Sequence, residues 1–261
     1  MEAMNRKIIF FDIDGTLLTK EKTILNSTKY AINALQKKGD IVAIATGRAP
    51  SMFVHIAREL NINTYIALNG QLVVHQGEIM QNNLLDKEMI QDITDLAYAN
   101  QHVVGFGNKD NFLISHANHI YAERSFKHLK LPYPDVDPRC FYDVGVNQLN
   151  LFCTREEEGL YKATFPNYQF IRWGDFGADV LPKDVSKVVG IKLLIERLQI
   201  HLDDCYAFGD GENDIQMLTF IKNSVAMANG VPEVKVVSNY IAPSCDNHGI
   251  FTGLKRLQLI G

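Results

Sequence analysis

The sequence predicts an α/β fold in which a parallel β-sheet core is interrupted by an inserted α+β domain. Three observations carry this. Continuous apolar runs, Ile8-Ile9-Phe10-Phe11 and Ile41-Val42-Ala43-Ile44-Ala45, read as strands buried on both faces of a sheet. Strand and helix signals alternate before residue 84 and again after Ser186, the rhythm of a parallel sheet. Between residues 84 and 183 that rhythm gives way to short strands, isolated helices and the Pro-rich break "LPYPDVDP", which places an insertion inside one core. The expected domains are thus 1–83 with 184–261, and 84–183.

Taken in order, the first strand ends at Asp12. "NSTKYAINALQKKGD" supplies a helix, with Asn26 or Ser27 as cap, Tyr30, Ala31, Ala34 and Leu35 on one face, and Gly39 as its stop. "IVAIATGR" is the second strand, Pro50 opens a helix through Leu60, and "YIALNG" (65–70) is a third strand ending in a turn. "LVVHQGEIM" reads as a hairpin turning at Gln76-Gly77. Within the insertion, a helix is expected over 86–99, followed by the strands "HVVGFG" and "QLNLFC". After Ser186 comes a long amphipathic helix carrying Val188, Val189, Ile191, Leu194, Ile195 and Leu198, then the strand of "CYAFGDGEND" and a further helix. No internal repeat or low-complexity segment is visible.

Composition excludes several classes of function. With 46% hydrophobic residues and a net charge of −4, the chain carries no basic stripe of the kind that binds nucleic acid. No run approaches a membrane span, and "MEAMNRK" lacks the apolar segment of a signal peptide, so the expectation is a cytoplasmic protein. Cys140, Cys153, Cys205 and Cys245 lie far apart and read as reduced packing residues. His116 and His119 lack a third ligand nearby and are assigned to the surface. Glu156 to Glu158 read as a solvated helix start.

Four short stretches carry the chemistry: Asp12/Asp14, "ATGR" (45–48), Lys187, and "GDGEND" (209–214). In a parallel sheet the ends after Asp12, Ala45 and Phe208 share the carboxyl edge where ligands bind, so Asp12, Asp14, Thr46, Asp210 and Asp214 can converge there. Clustered aspartates repel one another unless a divalent cation and a lysine neutralise them, and an all-oxygen donor set favours Mg²⁺. Side chains two apart on an extended segment lie roughly 6 to 7 Å apart on one face. Asp12 and Asp14 can therefore bracket a phosphoryl group, one as nucleophile and the other as acid and then base. The Thr46 hydroxyl, the Lys187 ammonium and the Asn213 amide would meet the remaining phosphate oxygens.

In order and spacing, "DIDGTLL", "ATGR", "SK" and "GDGEND" resemble the four motifs of the haloacid dehalogenase superfamily, and more narrowly those of Cof-type sugar-phosphate phosphatases. The tail "NGVPEVKVVSNYIAPSCDNHGI" resembles that family's C-terminal segment. The resemblance implies a Rossmann-like core with an inserted C2-type cap that governs access and selection. It implies Asp12 as nucleophile and Asp14 as acid/base. Thr46, Gly47, Lys187 and Asn213 fall on the phosphate, and Asp12, Asp14 (through its backbone carbonyl) and Asp210 on Mg²⁺, with Asp214 in support. One departure concerns the third motif, where Val188 follows the lysine in place of the family's frequent glycine, and Gly190 comes later. In the insertion, Arg172, Trp173, Asp175, Asp179 and Lys183 are polar or aromatic candidates for substrate contact, each weighed against a structural or solvated role.

The expected function is Mg²⁺-dependent hydrolysis of a small phosphorylated metabolite, a sugar phosphate or phosphorylated cofactor, with no nucleic-acid or membrane partner. Oligomeric state is not legible. A phosphotransferase or mutase using the same aspartyl phosphate, and a non-catalytic phosphometabolite sensor, remain as alternatives. An intact Asp14 speaks against the sensor, because binding alone does not require it.

Overall fold

The structure, a computed structural model, describes residues 6–261. In chain order its strands are β1 (Ile8–Phe11), β2 (Ile41–Ala45), β3 (Tyr65–Ala67), β4 (Leu72–His75), β5 (Glu78–Asn82), β6 (Val103–Gly107), β7 (Phe112–Ile114), β8 (Gln148–Phe152), β9 (Tyr168–Arg172), β10 (Gly177–Pro182), β11 (Cys205–Gly209), β12 (Asn223–Met227) and β13 (Tyr240–Ala242). Its helices are α1 (Asn26–Lys37), α2 (Val54–Glu59), α3 (Lys87–Ala99), α4 (Ile120–His128), α5 (Cys140–Asp143), α6 (Glu158–Thr164), α7 (Lys187–Leu198), α8 (Ile215–Phe220), α9 (Pro232–Val237) and α10 (Gly249–Arg256). Two compact units result. The first comprises residues up to Thr46, His55–Met80 and Ser186–Gly261, and the second Gly47–Val54 with Gln81–Val185.

The first unit is built on an eight-stranded sheet ordered β13-β12-β11-β1-β2-β3-β4-β5. From β13 to β3 every pairing is parallel, and β4 runs antiparallel to β3. Central β1 is flanked on both sides, with Ile8 opposite Cys205 of β11 and Ile41 of β2. Its four residues are fully buried, as an uninterrupted apolar run in a covered parallel sheet requires. Ile8 and Phe10 pack among Ala43, Ile191, Leu194 and Ala207, while the Phe11 ring stacks on Phe208 at 4.9 Å. The hairpin turn falls at Gln76 and Gly77, both with positive φ, as two-residue turns between right-twisted strands demand.

The second unit carries a five-stranded sheet ordered β7-β6-β8-β10-β9, antiparallel throughout. Its core gathers Ile90 and Ile93 of α3, Val104, Phe106, Leu149, Leu151 and Val180 of the sheet, and Phe141 and Tyr161. α3 starts as expected, with Asp86 accepting from the backbone N–H groups of Glu88 and Met89 at 2.9 and 3.1 Å.

Several local expectations are corrected. Leu25, not Asn26 or Ser27, occupies the cap of α1, and Ser27 instead shares a 2.8 Å hydrogen bond with His248 Nδ1. The buried face of α1 is Thr28, Ala31, Ile32 and Leu35; Tyr30 lies outside it and is exposed. The helix expected from Pro50 to Leu60 breaks at Phe53 into a 3₁₀ turn (Pro50–Met52) and α2. Val189 of α7 is left exposed, because Lys187, Gly190, Ile191 and Leu194 form the buried face. Glu158 is not solvated: it is buried beside Arg172, whose Nε donates to Glu158 Oε2 at 2.7 Å, and Lys162 pairs with its other oxygen. Arg172 also donates to the carbonyls of Cys153, Thr154, Gly174 and Asp175, so this candidate substrate residue is committed to structure. Asp179 is likewise buried, accepting from Asn150 Nδ2 at 2.6 Å. Trp173 packs edge-on against Phe152, while Asp175 and Lys183 are exposed. All four cysteines are free and buried, and burial raises their thiols to about 11 or 12, the inert state expected of packing residues.

Candidate active site

The site grows from the carboxyl edge of the first unit's sheet. The chain leaves β1 to one side for β2 and β3, and returns on the other as β11, so β1 and β11 meet at a topological switch point. Asp12 is the first residue past β1, and its N–H extends the ladder to the Phe208 carbonyl at 3.0 Å. The chain then winds tightly: the N–H groups of Leu17 and Leu18 return to the carbonyls of Asp12 and Ile13 at 3.2 and 2.9 Å. Gly15 permits this winding. Its φ is +72°, and a Cβ there would sit 2.1 Å from Asp210 Oδ2, so any side chain would displace the carboxylate. The Asp14-Gly15 dipeptide thus lies in a tight winding against Asp210 and not at a hairpin turn.

Lys187, the first residue of α7, is 1% exposed, and its ammonium donates to Asp12 Oδ1 and Asp214 Oδ1, each at 2.7 Å. Asp214 Oδ2 in turn accepts from the backbone N–H groups of Asp210 and Gly211 at 2.9 and 3.0 Å, which fixes the turn after β11. Asp210 Oδ1 accepts from the Thr16 hydroxyl at 3.0 Å and its Oδ2 from Asn229 Nδ2 at 3.2 Å. Asn229 also donates to the Gly15 carbonyl at 2.8 Å and accepts from the Cys245 N–H at 2.9 Å, tying the two aspartate loops together.

Asp12, Asp210 and Asp214 each offer a carboxylate oxygen within 4.8 Å of the others, a spacing that could hold a metal ion. Burial raises the Asp12 carboxyl to about 7; the Lys187 ammonium pulls it down and the Asp214 carboxylate pushes it back up. Burial, then Asp12 and Asp214, raise Asp210 to about 8. Lys187 is raised as well, held protonated by its two carboxylates against the cost of burial. One buried ammonium therefore leaves the three acids short of positive charge. An all-oxygen pocket of this kind fits a hard divalent cation.

The sequence matches the haloacid dehalogenase-like hydrolase family over residues 9–254. The chain belongs to the haloacid dehalogenase-like hydrolases. It is 39% identical over 257 residues to the Bacillus subtilis (strain 168) protein named "Putative phosphatase YkrA", covering 98% of this chain and all of that one. A solved structure of a hypothetical protein from Geobacillus kaustophilus HTA426 superposes with a TM-score of 0.90 at 43% identity, over 98% of this chain and all of that one. The subclass IIB sugar phosphatase BT4131 superposes at 0.87 and 29% identity, over 97% of this chain and 100% of its own.

In this haloacid dehalogenase-like chain, Asp12, Lys187, Asp210 and Asp214 come together. Asp14 stands apart from their carboxylate cluster: its Oδ1 meets Lys22 Nζ at 2.6 Å. Thr46 lies one residue beyond β2 on the same sheet edge, its N–H on the Ile66 carbonyl at 2.8 Å and its own carbonyl accepting from Asn69 N–H at 3.1 Å. Gly47 opens a segment grouped with the second unit, where its carbonyl accepts from Gln148 Nε2 at 3.0 Å. Asn213 is half-buried in the turn Glu212–Asp214. Val188 in place of a glycine leaves the start of α7 intact, because Gly190 makes the close approach: a Cβ there would lie 2.7 Å from Ile66 Cγ2. Thr16 and Asn229 stand in the stretches that carry the resemblance, "DIDGTLL" and the tail beginning "NGVPEV", but the sequence assigns a role to neither of them nor to Lys22. Asn229 was reachable, since it follows β12, another parallel strand whose carboxyl end shares this edge; Lys22 carried no periodic or motif signal.

Proposed function

We infer that the chain is a phosphatase that hydrolyses a small phosphorylated metabolite, of the sugar-phosphate class, through an aspartyl phosphate on Asp12. The observation that carries this reading is the buried Lys187 bridge between Asp12 and Asp214, which aims a restrained carboxylate at the sheet edge. The names of YkrA and BT4131 point the same way.

In this reading an Asp12 oxygen attacks phosphorus, the ester bond to the leaving oxygen breaks, and Asp14 gives that oxygen its proton. The Asp14 carboxylate then takes a proton from water as the water oxygen attacks the phosphoenzyme. The bond between Asp12 and phosphorus breaks, releasing inorganic phosphate. Lys187, the Thr46 hydroxyl, Gly47 and Asn213 receive the phosphate oxygens. Asp12, Asp210 and the Asp14 carbonyl would hold Mg²⁺, supported by Asp214, and when bound the cation supplies the positive charge that lets two anions approach. The second unit serves as the cap, a selector of leaving groups.

A phosphate-release screen over sugar phosphates and phosphorylated cofactors with Mg²⁺ tests the reading. Release from at least one of them, abolished in Asp12→Asn and by chelator, is expected. Phosphate label recovered on any residue other than Asp12 would sink it.

A further inference from the structure

We propose that Lys22 is a positioning residue for Asp14: its ammonium, presented by a closed turn, holds the Asp14 carboxyl where it exchanges a proton with the leaving group and with water. The inference rests on the acid/base reading of Asp14 given above.

Lys22 Nζ lies 2.6 Å from Asp14 Oδ1. An ordinary surface ion pair contributes little, since two long side chains must be immobilised in water. This pair differs in construction. The Lys22 side chain is 12% exposed, whereas that of Asp14 is 32% exposed. The lysine is presented by the segment Thr19–Thr23, closed by Thr19 N–H on the Thr23 carbonyl (3.0 Å), Thr23 N–H on Thr19 Oγ1 (3.2 Å) and Lys22 N–H on the Thr19 carbonyl (2.9 Å). Lys22 itself sits at φ +55°, a left-handed conformation that a residue without local side-chain bonding to the backbone rarely adopts. Lys20 N–H on Asp246 Oδ1 at 3.0 Å anchors the same segment to the C-terminal part of the chain. The loop is built to put an ammonium at one place.

Charge supplies the reason. Asp12, Asp210 and Asp214 already share Lys187, and Asp14 adds a fourth carboxyl two residues from the nucleophile. Like charges repel, and a short side chain with a third of its surface in water has room to turn outward. Lys22 opposes that rotation, and a proton donor misplaced by about an ångström is costly to a reaction.

The test compares Lys22→Met, which keeps the stem and removes the charge, with Lys22→Arg, which keeps the charge. On a sugar phosphate, Lys22→Met is expected to lower kcat by about 10- to 100-fold, within the general acid–base contribution, with KM within about twofold of wild type. Lys22→Arg should recover most of that loss. The single-turnover burst of aryl alcohol from an activated aryl phosphate should stay within about threefold, because that leaving group needs little protonation. An unchanged kcat on the sugar phosphate, or an equal loss for both leaving groups, overturns the inference. Should Lys22→Met melt early, Lys22→Gln gives the same leaving-group comparison. Asp12→Asn keeps the two levels separate: if wild type turns over, Asp12→Asn is dead and Lys22→Met matches wild type, the Lys22 role alone fails. If wild type releases no phosphate from any monoester, the phosphatase reading itself fails.

Discussion

Lysine is rarely buried without a partner, and Lys187 has two. Arg172 does the same for the second unit, meeting buried Glu158 and four backbone carbonyls. Removing one member of such a pair strands the other charge in a medium that cannot solvate it, at a cost of about 3 to 5 kcal/mol. Arg172→Met is therefore expected to lower the melting temperature by about 10 °C, measured by calorimetry, with Arg172→Met/Glu158→Leu recovering part of it. The two aspartates of the first motif are expected to separate by chemistry. Asp12→Asn should abolish turnover. Asp14→Asn should slow a sugar phosphate by about 10²- to 10⁴-fold, yet still give a stoichiometric aryl-alcohol burst with a trapped phosphoenzyme. A burst from Asp12→Asn would return Asp14-Gly15 to an ordinary turn. At this scale the sequence is legible where chemistry restricts residue type, as at Asp12 and Lys187. It misleads where burial depends on a distant partner: Glu158 reads as solvated because Arg172, fourteen positions away, is invisible to local pattern.

Among the elements, α7 decides how well the site is held, since it lies against the 3₁₀ turn Leu68–Gly70 and strands β3 and β4 and delivers Lys187 from its first turn. Gly190 sets that distance. In Gly190→Ala the added Cβ meets Ile66 Cγ2 at 2.7 Å and Val73 Cγ2 at 3.0 Å, so α7 must move off the sheet. Alanine's better helix propensity contributes about 1 kcal/mol, and overpacking costs about 1 to 3 kcal/mol. The expected result is a lower melting temperature together with a kcat reduced by about tenfold, as Lys187 shifts with its helix. A variant as stable and active as wild type would show that the helix start is independent of this contact. Strands β1 to β6, β8 and β11 and helix α3 were legible because their apolar period is a local signal. The face of α1 was not: Tyr30 and Ile32 both fit an apolar stripe, and only packing on the sheet selects Ile32.

For the whole molecule, the carboxyl-edge acids are expected to couple stability to pH and to a bound metal. Asp12 and Asp210 have folded-state values near 7 and 8 against an ordinary 3.8. A raised value means that the folded metal-free chain binds these protons more tightly than the unfolded chain does. Their contribution is present below about pH 4 and is lost as pH rises through 7 to 8. A divalent cation held there would replace the protons, so its stabilisation should grow with pH. The gain in melting temperature on adding Mg²⁺ is expected to be at least about 5 °C larger at pH 8.5 than at pH 5.5, and to disappear in Asp210→Asn. A pH-independent gain would mean that both carboxyls are already ionised in the metal-free chain. The alternation of strand and helix made the main sheet readable, and its interruption marked the second unit. Assignment of Gly47–Val54 to that unit was not readable, since a strand-to-helix turn looks alike whichever body it packs with.

The placement of β1 between β2 and β11 also bears on synthesis. β1 and β2 emerge early, but the partner for the other edge of β1 is nearly two hundred residues downstream: Thr16 and Asp210, bonded to one another just past these strands, are 194 positions apart. At about 5 to 20 residues per second, a ribosome leaves that edge open for roughly 10 to 40 seconds. Throughout that interval the nascent chain presents Ile8-Ile9-Phe10-Phe11 as an apolar strand with one edge open, and by its end the antiparallel sheet of the second unit, whose segments all precede β11, is complete. Chains terminated before Cys205 would carry a formed insert on an open template for aggregation, and chaperone demand should fall when β11 is translated.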